Sequence, residues 1–365
     1  MKYYLAPMEG ITGFVFRNAY HDYFAPMDKY FAPFVSPNQN ICFTPREYRD
    51  ICPENNRIPN VVPQILTNKA EDFIKTSQEL AKMGYGEVNL NLGCPSGTVT
   101  AKRKGAGFLM ETGRLREFFD RIFERPSVRI SVKTRLGMYS PDEFAQLLEI
   151  FNEYPLEELI IHPRAGKEFY EGIPHRDVYF DAVGKSKNPL CYNGDLYRAE
   201  DVVRLAGEWD AAGDRLKGSQ MYGLQKEKEP KKKCRTAQQK AVMLGRGILR
   251  DPWLVAKCRK AGQEPAVSGD EIERVAEDNT EIKQTGIRDF PSTTADTARI
   301  REFSDRLFSD YAQYMGERNA MFRMKELWLY LAESFAEADA NRKKLKKAQN
   351  QTEFNAVLEG LHCRS

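Results

Sequence analysis

The sequence predicts an α/β protein: a closed parallel (β/α)8 barrel, the TIM-barrel architecture, followed by a small C-terminal helical bundle domain. Three observations carry this. Eight short apolar, β-branched runs recur between positions 3 and 244, most are separated by stretches whose apolar residues return every three or four positions, and the strand signal stops beyond them. An open doubly wound sheet is the structural alternative on this alternation alone.

In order, the runs are Tyr3–Pro7, Tyr30–Val35, Asn60–Leu66, Glu87–Leu92, Arg129–Leu136, Glu158–His162, Pro189–Asn193 and Ala241–Leu244. NKAEDFIKTSQELAKMG, TGRLREFFDRIFER and SPDEFAQLLEIF read as helices between them. A barrel domain is therefore expected over 1–267. Residues 268–295 are polar and read as a linker or insertion, and 296–365 read as a helical domain. In that domain Phe303, Leu307, Tyr311 and Tyr314 recur at helical spacing, and Met321, Met324, Leu327, Trp328 and Leu331 continue the pattern. The spacing breaks once, before the last strand. The excess lies in 212–240, where nine Lys/Arg stand against three Asp/Glu, so the segment reads either as a solvated surface loop or as a basic arm touching RNA phosphate.

The balance of 55 basic and 52 acidic residues leaves only +3, so nucleic-acid binding has to come from local patches. Seven scattered cysteines without a CxxC pair, and only four histidines, suggest neither a disulfide framework nor a metal site, which fits a reducing cytoplasm. No apolar run reaches the ~18 residues of a membrane span, and the opening MKYYLAPMEG lacks a secretory apolar core.

The chemistry concentrates where strands end. In EVNLNLGCPSGTVTAKRKGAGFL a strand runs into Gly93-Cys94-Pro95, which puts Cys94 at the barrel mouth, where such folds build active sites; an inert buried cysteine is the alternative. Gln64 closes the third run, Lys133 and Arg135 share a face of the fifth, Asn89 and Asn91 share a face of the fourth, and His162 and Arg164 end the sixth. Such polar groups are compensated either by a polar ligand or by one another. Asn193-Gly194-Asp195 after the seventh strand and Gly245-Arg246-Gly247 after the eighth read as a phosphate cradle. No GxGxxG follows the first strand, so a nicotinamide cofactor would visit rather than reside, and FMN is the better resident.

These residues resemble the FMN-dependent tRNA-dihydrouridine synthases of bacterial type. The resemblance runs through APMEGIT, VVPQIL, NLNLGCPSGTV, GAGFLM, SVKTRLG, IIHPRAGKEFYEG, NGDL and MLGRG, and RNAMFRMKELWLYL looks like the family's tRNA-binding helical domain. It implies an oxidoreductase that reduces the C5–C6 double bond of a specific tRNA uridine, with FMN as cofactor and NADPH or NADH as transient reductant. Pro7, Met8, Gln64, Lys133 and His162 would line the flavin ring. Asn193, Gly194, Asp195, Gly245 and Arg246 would hold its phosphate. Cys94 matches the family's proton donor, while Asn91, Lys133, Arg135 and Arg164 match residues near the target base. A cytoplasmic monomer acting on tRNA, without membrane or metal, is the expectation. Three departures stand out: the insertion at 212–240 splits or immediately precedes the last strand, a polar stretch lies around 274–295 at the domain junction, and Pro163-Arg164-Ala165 follows His162 where glycine and threonine are commoner. Other readings are a small-molecule FMN barrel related to dihydroorotate dehydrogenase, a Schiff-base aldolase using Lys133, and an inactive barrel acting as an RNA-binding protein. The tail residues Arg342, Lys343, Lys344, Lys346 and Lys347 are expected to form a basic face for tRNA phosphate.

Overall fold

The computed structural model describes residues 1–222, 240–262 and 294–361. Most of the basic insertion (223–239) and of the polar linker (268–293) lie outside these. The described residues form two compact units. The first takes in 1–21, 27–195 and the described part of 206–245, the second 22–26, 196–205 and the described part of 246–365. Among the described residues no helix is long and apolar enough to cross a membrane.

The first unit is a parallel barrel, as the alternation of runs predicts. Its strands are β1 (Lys2–Leu5), β2 (Lys29–Phe31), β3 (Val61–Val62 and Gln64–Ile65), β4 (Glu87–Leu92), β5 (Arg129–Arg135), β6 (Leu159–His162), β7 (Leu190–Tyr192) and β8 (Ala241–Leu244). All pair in parallel, each with its sequence neighbours, and β8 returns to β1. The single irregularity is at Pro63, which has no N–H for the ladder and divides β3. Val61–Val62 pairs with β2 and Gln64–Ile65 pairs with β4, so the covalent chain through Pro63 completes the ring. The last strand is intact between β7 and β1. The insertion therefore precedes it, and its first part continues the helix Ala199–Tyr222.

The helices expected from periodicity lie at Ala70–Lys82, Thr112–Glu124 and Phe144–Phe151. In the second of these Leu115, Phe118, Phe119 and Ile122 are the buried residues, spaced to keep one face on the sheet. Inside the barrel, Tyr4, Phe31, Val62, Ile160, Cys191, Ala241 and Met243 fill the lower core. The register places Asn91 beside Lys133, Lys133 beside Ile160, and Ile160 beside Cys191, so polar groups begin where this apolar floor ends.

The second unit is mainly helical, including Thr294–Met315, Glu317–Leu331, Ala338–Lys347 and Gln351–Glu359. Gly316, with φ of 82°, makes the turn between the first two, a conformation glycine adopts without a Cβ penalty. Trp328 is fully buried there, stacks near Phe335 and donates its indole N–H to Ser304 Oγ at 3.0 Å.

Candidate active site

At the C-terminal ends of β3, β4 and β5, buried amides form a single directed chain. The backbone N–H groups of Gly93 and Cys94 donate to Asn91 Oδ1 at 3.0 and 2.9 Å. Backbone N–H groups can only donate, so they fix which way the Asn91 amide points. Asn91 Nδ2 then donates to Gln64 Oε1 (2.8 Å), Gln64 Nε2 to Asn89 Oδ1 (2.7 Å), and Asn89 Nδ2 to Ser131 Oγ (2.9 Å). Gln64, Asn89 and Ser131 are register neighbours across three strands, which is why the chain forms. Gln64 and Asn91 thus compensate one another in part, and each keeps one amide hydrogen outside the chain.

The same chain seats Cys94. Its carbonyl accepts the N–H of Ala106 at 3.0 Å, folding the loop 94–106 back on itself. Gly105 makes this possible: its φ is +56°, and a Cβ there would lie 2.7 Å from the Cys94 carbonyl oxygen. The Cys94 thiol is free and half-buried; burial pushes its pKa up, only partly opposed by the Ser96 backbone and by the charges of Lys133 and Arg135. It is a protonated thiol at neutral pH, suited to giving up a proton rather than to attacking as a thiolate.

Lys133 lies in register beside Asn91. Among the described residues its Nζ has neither a hydrogen-bond nor an ion-pair partner, and burial together with the neighbouring Arg135 charge pushes its pKa down to about 8. An anion beside it would relieve that. Arg135 is engaged instead: Nε donates to Gly93 O and Nη1 to Ala165 O, both at 3.0 Å, while its guanidinium packs 5.3 Å from the Tyr170 ring. It clips the loop after β4 to the loop after β6.

His162, beside Arg135 in register, is buried with its ring edge-on to Tyr170. Its Nε2 accepts from Arg164 Nη1 at 3.3 Å, which assigns the ring proton to Nδ1. Arg164 is fully buried and pairs bidentately with Asp195 at 3.1 and 2.6 Å. It also donates to the carbonyls of Glu171 and Gly172. All five of its N–H groups are engaged within the protein, which gives Arg164 a supporting role under the 171–172 turn and fixes the Asp195 carboxylate.

The cradle expected after β7 and β8 is tied together by Asn193, whose Nδ2 donates to Met243 O at 2.8 Å. Among the described residues the N–H groups of Gly194 and Gly245 meet no acceptor. Gly194 cannot be replaced in place, because a Cβ would sit 2.2 Å from Tyr192 Oη. Arg246, next in the chain, belongs to the second unit and stands 5.5 Å over the Tyr197 ring. Met8 reaches Gly245, where a Cβ would lie 3.5 Å from Met8 Sδ. Its loop is set by Thr12, which accepts the Met8 N–H, and by the fully buried Arg17, which donates to Thr12 O at 2.8 Å and pairs with Asp50. Pro7 lies half-buried on the same loop.

Sequence reasoning did not single out Ser131, Tyr170 or Arg17. Tyr170 lies inside the IIHPRAGKEFYEG stretch. Arg17 carried a readable signal, a charge within the apolar helical run FVFRNAY. In the second unit Lys343, Lys344, Lys346 and Lys347 are exposed, whereas Arg342 is held by Leu329 O, Asp339 and Glu333.

Known proteins resemble this chain in sequence. The chain is 28% identical over 255 residues to a probable tRNA-dihydrouridine synthase of Staphylococcus aureus (strain COL), covering 69% of this chain and 70% of that protein. It is 27% identical over 261 residues to one of Staphylococcus epidermidis (strain ATCC 12228), and 28% over 261 residues to the probable tRNA-dihydrouridine synthase 2 of Bacillus subtilis, with 69% and 70% of the two chains covered in each case. The model of the Dihydrouridine synthase (Dus) family matches residues 4–213, more than half of the sequence and the stretch that carries the Cys94 loop, Lys133 and the β7 end, and the chain belongs to the dihydrouridine synthase family.

Proposed function

We propose that this chain reduces a uridine of tRNA to dihydrouridine, with FMN resident at the barrel mouth and NADPH or NADH as the visiting reductant. The observation that carries the reading is the pairing, on register-adjacent strand ends, of an uncompensated Lys133 cation with a Cys94 thiol kept protonated by burial. The residues fit FMN on the first of these: the electron-rich pyrimidine edge of a flavin is the partner an unpaired buried lysine lacks. Lys133, with Gln64, His162, Pro7 and Met8, would line the ring. The N–H groups of Gly194 and Gly245, which meet no acceptor among the described residues, would serve the phosphate, with Asn193 tying their loops together.

FMN, when bound, supplies the hydride that adds to C6 of the uracil. The chain's own work is to place and protonate. Cys94 Sγ–H gives its proton to C5, and the chain Asn91–Gln64–Asn89–Ser131 fixes where that sulfur sits. The remaining amide hydrogen of Asn91 and the cationic Lys133 and Arg135 suit the uracil oxygens, where negative charge grows. A base held in a stack cannot reach this depth, so the uridine must be extruded. The exposed lysines 343, 344, 346 and 347 suit tRNA phosphate.

The test is position-resolved nucleoside analysis of tRNA from cells with and without the protein, together with the absorbance spectrum of the purified chain. Cys94→Ala should keep the yellow flavin and lose most dihydrouridine formation under steady turnover. Unchanged turnover would refute the proton-donor role.

A further inference from the structure

The loops after β5 and β6 carry large apolar side chains that nothing in the barrel covers: Tyr139 is 59% exposed, Phe169 46% and Ile173 84%. We propose that Tyr139, Phe169 and Ile173, with Lys167, form a stacking platform for the unpaired nucleotide next to the reacting base in the RNA. This rests on the reading of the site as a tRNA uridine reductase and adds to it where the flanking nucleotide goes.

The platform is rigid. Gly166 N donates to Gly137 O at 2.8 Å and Lys167 N to Met138 O at 2.9 Å, so the two loops are bonded backbone to backbone. Glu168 accepts from the N–H of Ala165 and pairs with His175 Nε2 at 2.7 Å, while Arg164 holds the carbonyls of Glu171 and Gly172. Within this frame Phe169 is forced to φ 49° and ψ −102°, a conformation that costs a non-glycine residue energy. The frame thus holds an aromatic ring outward at a cost to stability, the reverse of what folding alone favours.

Stacking and charge together suit one occupant. The Glu143 carboxylate takes the N–H groups of Met138, Tyr139 and Ser140, and Glu168 is engaged as above; the exposed acids of the two loops are Asp142, which accepts from Ser140 Oγ at 3.1 Å, and Glu171. Lys167 Nζ stands 5.9 Å over the Tyr139 ring and makes no ion pair among the described residues. Aromatic faces beside an unpaired cation suit a nucleobase and its phosphate. The platform also adjoins the acid loop: a Cβ at Gly166 would lie 3.2 Å from Ala106 Cβ, and Ala106 N bonds to the Cys94 carbonyl. When a base is drawn out toward Cys94 its neighbour loses a stacking partner, and an exposed ring on the adjoining loops would replace it.

The experiment uses flavin-loaded full-length protein and transcribed tRNA, with Phe169→Gly and Tyr139→Ala. Phe169→Gly should raise KM for tRNA about five- to tenfold, more than any fall in kcat. Its melting temperature should match or exceed that of the parent, because glycine accepts the positive φ freely. A ring kept only for packing would lower the melting temperature instead, and that result, or KM unchanged in both variants while the parent forms dihydrouridine, overturns the proposal. A parent that forms no dihydrouridine overturns the underlying reading and the platform with it.

Discussion

Asn91 Oδ1 receives the backbone N–H of Cys94 at 2.9 Å while the same amide donates to Gln64 Oε1 at 2.8 Å, so one side chain ties the acid to the residue expected at the flavin edge. Asn91→Ala removes both bonds and frees the strand end to shift. A displacement of about 1 Å in a reacting group costs on the order of 100-fold in rate. The variant should therefore lose about that factor in the single-turnover rate of uridine reduction and keep its flavin, read as the 450 nm absorbance (about one flavin per chain).

Gly105 is the hinge on the other side of the cysteine. With φ of +56° and a virtual Cβ 2.7 Å from the Cys94 carbonyl oxygen, Gly105→Ala adds backbone strain and a clash against main chain that cannot rotate away. We expect a loss of about 1–3 kcal/mol in urea denaturation. A turnover defect comparable to that of Asn91→Ala should accompany it, because either change moves the same sulfur.

Lys133→Met separates stability from binding. A lysine whose folded pKa lies near 8, below its ordinary 10.5, binds fewer protons folded than unfolded between those values, so the flavin-free protein gains stability as pH rises from about 8 toward 10.5. Methionine removes the unfavourable cation. Flavin-free Lys133→Met should be at least as stable as the parent at pH 7 and should lack the rise at higher pH. Its affinity for FMN should fall about tenfold or more, since a charge-assisted hydrogen bond is lost. Urea titrations across pH and fluorescence titration with FMN measure the two arms.

Much of this was legible before any coordinates. The eight strands were, because each run of apolar residues is bounded by polar or glycine positions, and β4 and β8 occupy the very residues the pattern marks. Alternation along a strand also showed that Asn89 and Asn91, or Lys133 and Arg135, point one way. What alternation cannot give is the register between strands. Ser131 closes the amide chain only because it lies opposite Asn89, and Arg164 meets Asp195 across 31 residues of sequence. The break of β3 at Pro63 was foreseeable in kind, but its role in completing the ring needed the partners on both sides.

The opposite end of the barrel was not anticipated at all, and it yields the last prediction. Tyr4 lies in register beside Lys29, the first residue of β2, while Glu87 begins β4 and Glu158 immediately precedes β6: Tyr4 Oη donates to Glu158 Oε1 at 3.0 Å, and Lys29 Nζ lies 2.8 Å from Glu87 and 3.8 Å from Glu158. One lysine serves two carboxylates. Burial, with the charge of Glu87, pushes the Glu158 pKa up to about 7 even though Lys29 opposes it. The folded chain therefore keeps a proton that the unfolded chain releases near 4.5. This contribution to stability is complete below about 4.5 and is lost as pH rises to about 7, an effect of up to about 3 kcal/mol. Glu158→Gln keeps an oxygen for Tyr4 and cannot ionise. Subtracting the parent's urea stability from the variant's at each pH should give a difference that favours the variant progressively from about 4.5 to 7 and is flat above. A difference that stays constant across that window would mean that Glu158 is ionised throughout it, with Lys29 compensating both carboxylates.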